Sequence, residues 1–182
     1  MRTFIALPIS EDTKNLLGNI ENTLKHIPLD AKWVKPENLH ITLKFIGEIG
    51  EEKIEEIKAI IKEIGESFFK LKVSLKEFGF FPTKSNPKVF FISTDKEEIL
   101  GEIADRLEDK MERLGIKKEH RFRSHITLAR LKSRRNIDQL QRKIRDLKLT
   151  HSFSINSIVL FKSTLTKFGP IYEEIFKIYL RN

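Results

Sequence analysis

The sequence predicts an α+β fold with mostly antiparallel strands. Three observations carry the prediction. Strand-like and helix-like segments follow one another without the regular alternation that builds a parallel sheet. The word His-Ile-Thr-Leu occurs twice, at 40–43 and 125–128, each time in a run that alternates apolar with polar residues. No linker rich in Pro, Gly or Ser separates the copies, so the chain is expected to form a single domain over residues 1–182, made of two packed lobes. The repeat points to an ancient duplication, and a cleft between two such lobes is a natural ligand site.

The elements follow in order. Residues 2–7, RTFIAL, predict a buried first strand. Leu16, Leu17, Ile20 and Leu24 recur at helical spacing over 11–26, with Ser10 as N-cap and Pro28 beyond the end. Leu39–Ile46 alternates with period two and stops at Gly47, which predicts a strand. Ile54, Ile57, Ile60, Ile61 and Ile64 form the apolar stripe of a second helix closed by Gly65. Residues 68–81 and 88–94 read as two strands joined through FPTKSNP. A third helix turns Ile99, Leu100, Ile103, Leu107, Met111 and Leu114 inward and ends at Gly115. After the second HITL strand come a basic helix (Ile137, Leu140, Ile144, Leu147) and strands at 153–162 and 171–180, split by Gly169-Pro170.

Composition narrows the partners. The chain has 182 residues and no cysteine, so disulfides and thiolate metal sites are excluded. Its 40% hydrophobic and 33% charged residues are those of a soluble globular protein. Few Met and much Lys, Glu and Ile resemble heat-adapted proteins. The apolar run FIALPI is too short for a membrane span or a secretory segment, which reads as cytoplasmic and without membrane contact. A net charge of +8 favours polyanionic partners.

The repeated word has a chemical meaning. On a strand, residues i and i+2 share a face. His40 and Thr42 therefore point together, as do His125 and Thr127, while Ile41, Leu43, Ile126 and Leu128 anchor the other side. Lys44 is expected on the face of His40. Two imidazoles facing one cleft form an acid–base pair near neutral pH, and the hydroxyls beside them suit phosphoryl oxygens. That set fits in-line displacement at a phosphodiester. Two histidines with no carboxylate or thiol at ligand spacing make a poor metal set. No G-x-S-x-G elbow, alternating histidine run, P-loop or K-x-D-G word is present.

The paired H-x-T-x motifs, 85 residues apart, together with RTFIALPIS, KWVKPENLHITLKFIGE, HITLAR and LTKFGPIYEEI, resemble the two-histidine (2H) phosphoesterase superfamily. The wider text resembles its RNA 2′,3′-cyclic phosphodiesterase branch, also called 2′-5′ RNA ligase-like or LigT-like. The resemblance implies a bilobal, pseudo-two-fold fold with helices outside and a central groove. It implies metal- and cofactor-free opening of a terminal 2′,3′-cyclic phosphate to a 2′-phosphate on RNA ends or short oligonucleotides, by a monomer. Carried over by position, His40 and His125 are the catalytic pair, and Thr42, Thr127 and Arg130 hold the phosphate. Strict alternation from His125 would turn Arg130 away from the cleft, so the strand must end, twist or bulge near Ala129. His40 is taken as the acid and His125 as the base. Alternatives are 2′-5′ ligation as the main activity, or binding of nucleotides and RNA ends without turnover.

The other histidines carry less. His26 reads as solvated at a helix end, and His151 has no partner in sequence. His120 sits in KKEHRFRSH, which with Lys132, Arg134 and Arg135 reads as a basic rim for the RNA backbone. Phe80, Phe81 and Trp33 are candidates either for base stacking or for the core.

Overall fold

The structure, a computed structural model, describes residues 1–119 and 121–182; His120 lies outside the described residues. Among the described residues nine strands form two sheets, and every pairing between these strands is antiparallel. The strands are β1 (Arg2–Pro8), β2 (Ala31–Trp33), β3 (His40–Glu48), β4 (Leu71–Pro82), β5 (Pro87–Thr94), β6 (His125–Leu131), β7 (Ser152–Ile155), β8 (Ser157–Thr166) and β9 (Gly169–Tyr179). One sheet runs β3-β1-β8-β9 and the other β2-β6-β5-β4-β7. The expected α+β class with antiparallel pairing is what is found.

Four helices complete the fold. They are α1 (Glu11–Leu24), α2 (Ile54–Gly65), α3 (Glu97–Glu112) and α4 (Ile137–Arg145). Ser10 caps α1 as expected, its hydroxyl accepting from the Thr13 N–H at 3.3 Å. α1 buries Leu17 and Leu24, with Leu16 and Ile20 partly covered. It also buries Glu21, whose carboxyl burial pushes up to about 8 against the opposing charge of Lys25. α2 buries Ile54, Ile57, Ile61 and Ile64, each contributing roughly 1.5–3 kcal/mol of transfer free energy. α3 buries Leu100, Ile103, Leu107 and Met111, but Ile99 stays exposed because it falls off the stripe these four define. α2 packs on β8 and β9 and against α3, and α3 packs on β3.

Two differences from the sequence reading matter. The expected strand 153–162 is two strands, broken at Asn156: β7 pairs with β4, whereas β8 pairs with β1 in the other sheet. The break shows as a change of pattern, since Phe153 and Ile155 alternate with exposed serines while Ile158, Val159 and Leu160 are all buried. β2 was missed because three residues are too few to show a period. It supplies the edge beside β6.

The sheets are therefore interleaved. β1 and β3 from the first half share a sheet with β8 and β9, while β2 joins the sheet built around β6. Each HITL strand lies beside the strand that precedes it through a helix: β3 beside β1 across α1, and β6 beside β5 across α3. β3 and β6 approach each other, which brings the two motifs together.

Candidate active site

Both motif strands open as alternation dictates. His40 and Thr42 are half-buried while Ile41 and Leu43 are in the core; His125 and Thr127 repeat this over Ile126 and Leu128. Each strand then carries a β-bulge at the same place. Against β1, Thr42 pairs with Ala6 and Lys44 with Ile5, so Leu43 is the extra residue. Against β5, Thr127 pairs with Phe91 and Ala129 with Phe90, so Leu128 is extra. One extra residue reverses the side-chain alternation beyond it. Arg130 is thereby turned to the cleft, exposed and opposite Lys32 of β2. The bulge expected near Ala129 is present.

The same slip removes Lys44 from the site. Its side chain is fully buried, with Nζ 2.8 Å from the Glu108 carboxylate of α3 and 2.6 Å from the Lys117 carbonyl. The expectation that it faces the cleft with His40 fails, because the bulge sits between them.

The imidazoles are held alike. His40 Nδ1 donates to the Asn38 carbonyl at 2.6 Å, and His125 Nδ1 to the Arg123 carbonyl at 2.7 Å. Each ring therefore keeps Nε2 for the cleft. At His40 the Thr42 hydroxyl lies 2.9 Å from Nε2 and donates to it when the ring is neutral. Aromatic rings wall both histidines: Phe4 and Tyr172 lie 5.0 and 5.6 Å from His40, and Phe81 and Phe91 lie 4.9 and 5.4 Å from His125, centroid to centroid. Burial pushes His40 down to about 4, the positive charges of His125 and Lys14 adding to it and the Asn38 carbonyl opposing. Burial lowers His125 as well, opposed by the Arg123 carbonyl and by Glu97. The Tyr172 hydroxyl is raised by burial and pulled back by Arg130 and Arg2, so both guanidinium groups act on it.

One cleft of about 1140 Å³ holds His40, Thr42, His125, Thr127 and Arg130 in its walls. Sequence reasoning missed several of its other walls. Arg2, Lys32 and Lys35 stand as single cations with no pattern to mark them, and Tyr172 lies within LTKFGPIYEEI with no motif of its own. The basic rim is present in part. Lys118, Arg121 and Arg123 line the cleft, although Lys118 is engaged by Asp109 and Glu112 at 2.8 and 3.2 Å. Lys132, Arg134 and Arg135 are exposed outside it. Among the described residues, Arg2, Lys32, Lys35, Arg121, Arg123 and Arg130 have no carboxylate partner. Phe80 belongs to the core against Phe90, whereas Phe81 and Trp33 line the cleft. His26 is exposed, and His151 lies 2.9 Å from the Thr13 hydroxyl.

The chain and its fold have close counterparts among known proteins. A protein from Methanocaldococcus jannaschii named RNA 2′,3′-cyclic phosphodiesterase is 36% identical over 96% of this chain and 98% of its own. One of the same name from Methanothermobacter thermautotrophicus is 30% identical over 98% and 99%. The crystal structure of TT0787 of Thermus thermophilus superposes with a TM-score of 0.83 at 26% identity, covering 100% of this chain and 98% of that one. Escherichia coli LigT in apo form has the same fold, with a TM-score of 0.77 at 21% identity over 100% of this chain and 98% of that one. The LigT-like phosphoesterase family pattern matches twice, over residues 7–91 and 92–172, one match to each HITL motif. With the family pattern matched over both halves and full-length relatives at 30% identity or more, this chain belongs to the LigT-like phosphoesterases.

Proposed function

We propose that this protein is an RNA 2′,3′-cyclic phosphodiesterase that converts a terminal cyclic phosphate to a 2′-phosphate, with His40 and His125 as its proton-transfer pair. The observation that carries the reading is the matched pair of rings. Each fixes its Nδ1–H on a backbone carbonyl two residues back and offers Nε2 to one cleft. The names of the full-length relatives support the substrate class.

In the reaction, water adds to phosphorus and the P–O3′ bond breaks in line with it. One Nε2 takes the proton of the attacking water, and the other gives a proton to O3′. The stronger depression of the His40 proton affinity supports His40 as base and His125 as acid, the reverse of the sequence expectation. Thr42, Thr127 and Arg130 would hold the non-bridging oxygens, the guanidinium by paired donors. Since both motif strands come from one chain, a single copy supplies the whole set, and residues 1–182 act as one domain. Ligation to a 2′-5′ linkage would use the same groups in the same step, with the 5′-hydroxyl of a second RNA attacking phosphorus in place of water while the P–O3′ bond breaks.

The test is direct. RNA ending in 2′,3′-cyclic phosphate is incubated with the protein in EDTA and the product identified. A 2′-phosphate is expected from wild type, and a fall of at least about 100-fold from His40→Ala or His125→Ala. A 3′-phosphate would break the regiochemical part, and full activity in either variant would sink the acid–base assignment.

A further inference from the structure

The two bulges put different side chains in matching places. Five residues after His125 stands Arg130, and five after His40 stands Phe45. Both follow a one-residue slip, and both line the cleft. A guanidinium in this place suits a phosphate oxygen, but a phenyl ring does not, so the pseudo-symmetric site is chemically polar from end to end.

Resting on the phosphodiesterase reading above, we propose that Phe45 is the platform on which the base of the terminal nucleotide stacks, and that it orients the substrate across the two histidines. The ring is 50% exposed although its strand neighbour Phe4, 6.2 Å away, is buried. Thr42 pairs with Ala6 and Phe45 with Phe4, so the ring lies two β1 residues, about 7 Å, further along the sheet than Thr42, within a nucleoside's reach of a phosphate held there.

The main chain that carries the ring is tied down as well. The Phe45 N–H, on the outer edge of its sheet, donates to the Glu119 carboxylate at 3.2 Å. The Glu119 N–H donates in turn to Glu108 at 3.2 Å, and Glu108 is paired with buried Lys44. Near the ring the charges are mixed: Glu119 is bonded to the Phe45 N–H, Glu108 is neutralised by Lys44, and Arg2 stands on β1 close to Phe4, while Lys32 and Arg130 face each other on β2 and β6. A base has a π-face whatever its identity, so stacking here is tolerant of sequence.

The experiment compares two small cyclic diesters, uridine 2′,3′-cyclic phosphate and glycerol 1,2-cyclic phosphate, which lacks a base. Wild type is expected to prefer the nucleoside in kcat/KM by about 5- to 100-fold, the range of one base–aromatic stack. In Phe45→Ala and Phe45→Leu that ratio should fall toward one through KM, and Phe45→Trp should keep it. Thermal unfolding of each variant checks that the fold is retained, and Leu serves if Ala does not fold. A ratio unchanged in Phe45→Leu, or a wild type that makes no distinction, would overturn the platform while leaving the phosphodiesterase standing. Turnover of neither diester by wild type would remove both.

Discussion

At the scale of single residues, the site is governed by what burial does to two imidazoles. His40 has a folded pKa of about 4 against an ordinary 6.5. Above pH 6.5 neither the folded nor the unfolded chain protonates this ring, and the stability it permits is fully present. Between 6.5 and about 4 the unfolded chain takes the proton and the folded chain does not, so stability falls as pH falls. The difference of 2.5 units sets a loss of at most about 3 kcal/mol. His125 is lowered too and acts in the same direction. Urea midpoints at pH 7 and 4.5 should therefore separate further for wild type than for His40→Gln; equal separations would mean the ring is solvated. The same shifts predict a kcat/KM maximum between about pH 4 and 6.5, where His40 is neutral and His125 still holds a proton. An optimum above pH 7 would contradict it.

At the scale of elements, the bulges decide which residues the cleft receives. His40, Thr42, His125 and Thr127 were legible because they precede the bulges, where alternation still holds. Arg130 and Lys44 follow them and exchange roles relative to the pattern. A bulge is a slip in hydrogen-bond register, and hydrophobic periodicity does not encode it; a lysine in the core reads as an exposed one. Gly79 on β4 shows a second constraint. A Cβ there would lie 2.5 Å from Phe91 Cζ, because the Phe91 ring covers its cross-strand partner. That ring is stacked 4.1 Å from Phe81, and both abut His125. Gly79→Ala should cost about 1–3 kcal/mol and lower kcat by up to about 100-fold through a misplaced imidazole. By contrast, a Cβ at Gly101 in α3 meets Phe122 at an ordinary 3.7 Å. Gly101→Ala should raise stability by about 0.5–1 kcal/mol with kcat unchanged. Chemical denaturation and steady-state kinetics on the pair check both.

At the scale of the molecule, the sequence showed two related halves but not that each sheet borrows from both. The borrowing rests on β4 and β5, which join β6 and β7 across the midpoint, on β2, too short to see, and on the break at Asn156 inside what reads as one strand. Because the halves are entangled in this way, Trp33 fluorescence, which reports the β2-β6 sheet, and far-UV circular dichroism should follow one urea transition. Residues 1–95 and 96–182 made separately should fail to fold. Two separated transitions, or a folded half, would argue for independent lobes.

The chain passes from one sheet to the other between β1 and β2, β2 and β3, β3 and β4, and β7 and β8. A pair of lobes joined by one connector can swing like a door, but lobes laced four times are closer to a stitched seam. From that connectivity the gap between the two Nε2 atoms is expected to be set when the chain folds and to stay unchanged when substrate binds. On heating, turnover should persist until the seam itself gives way, with activity and tertiary structure lost at the same temperature.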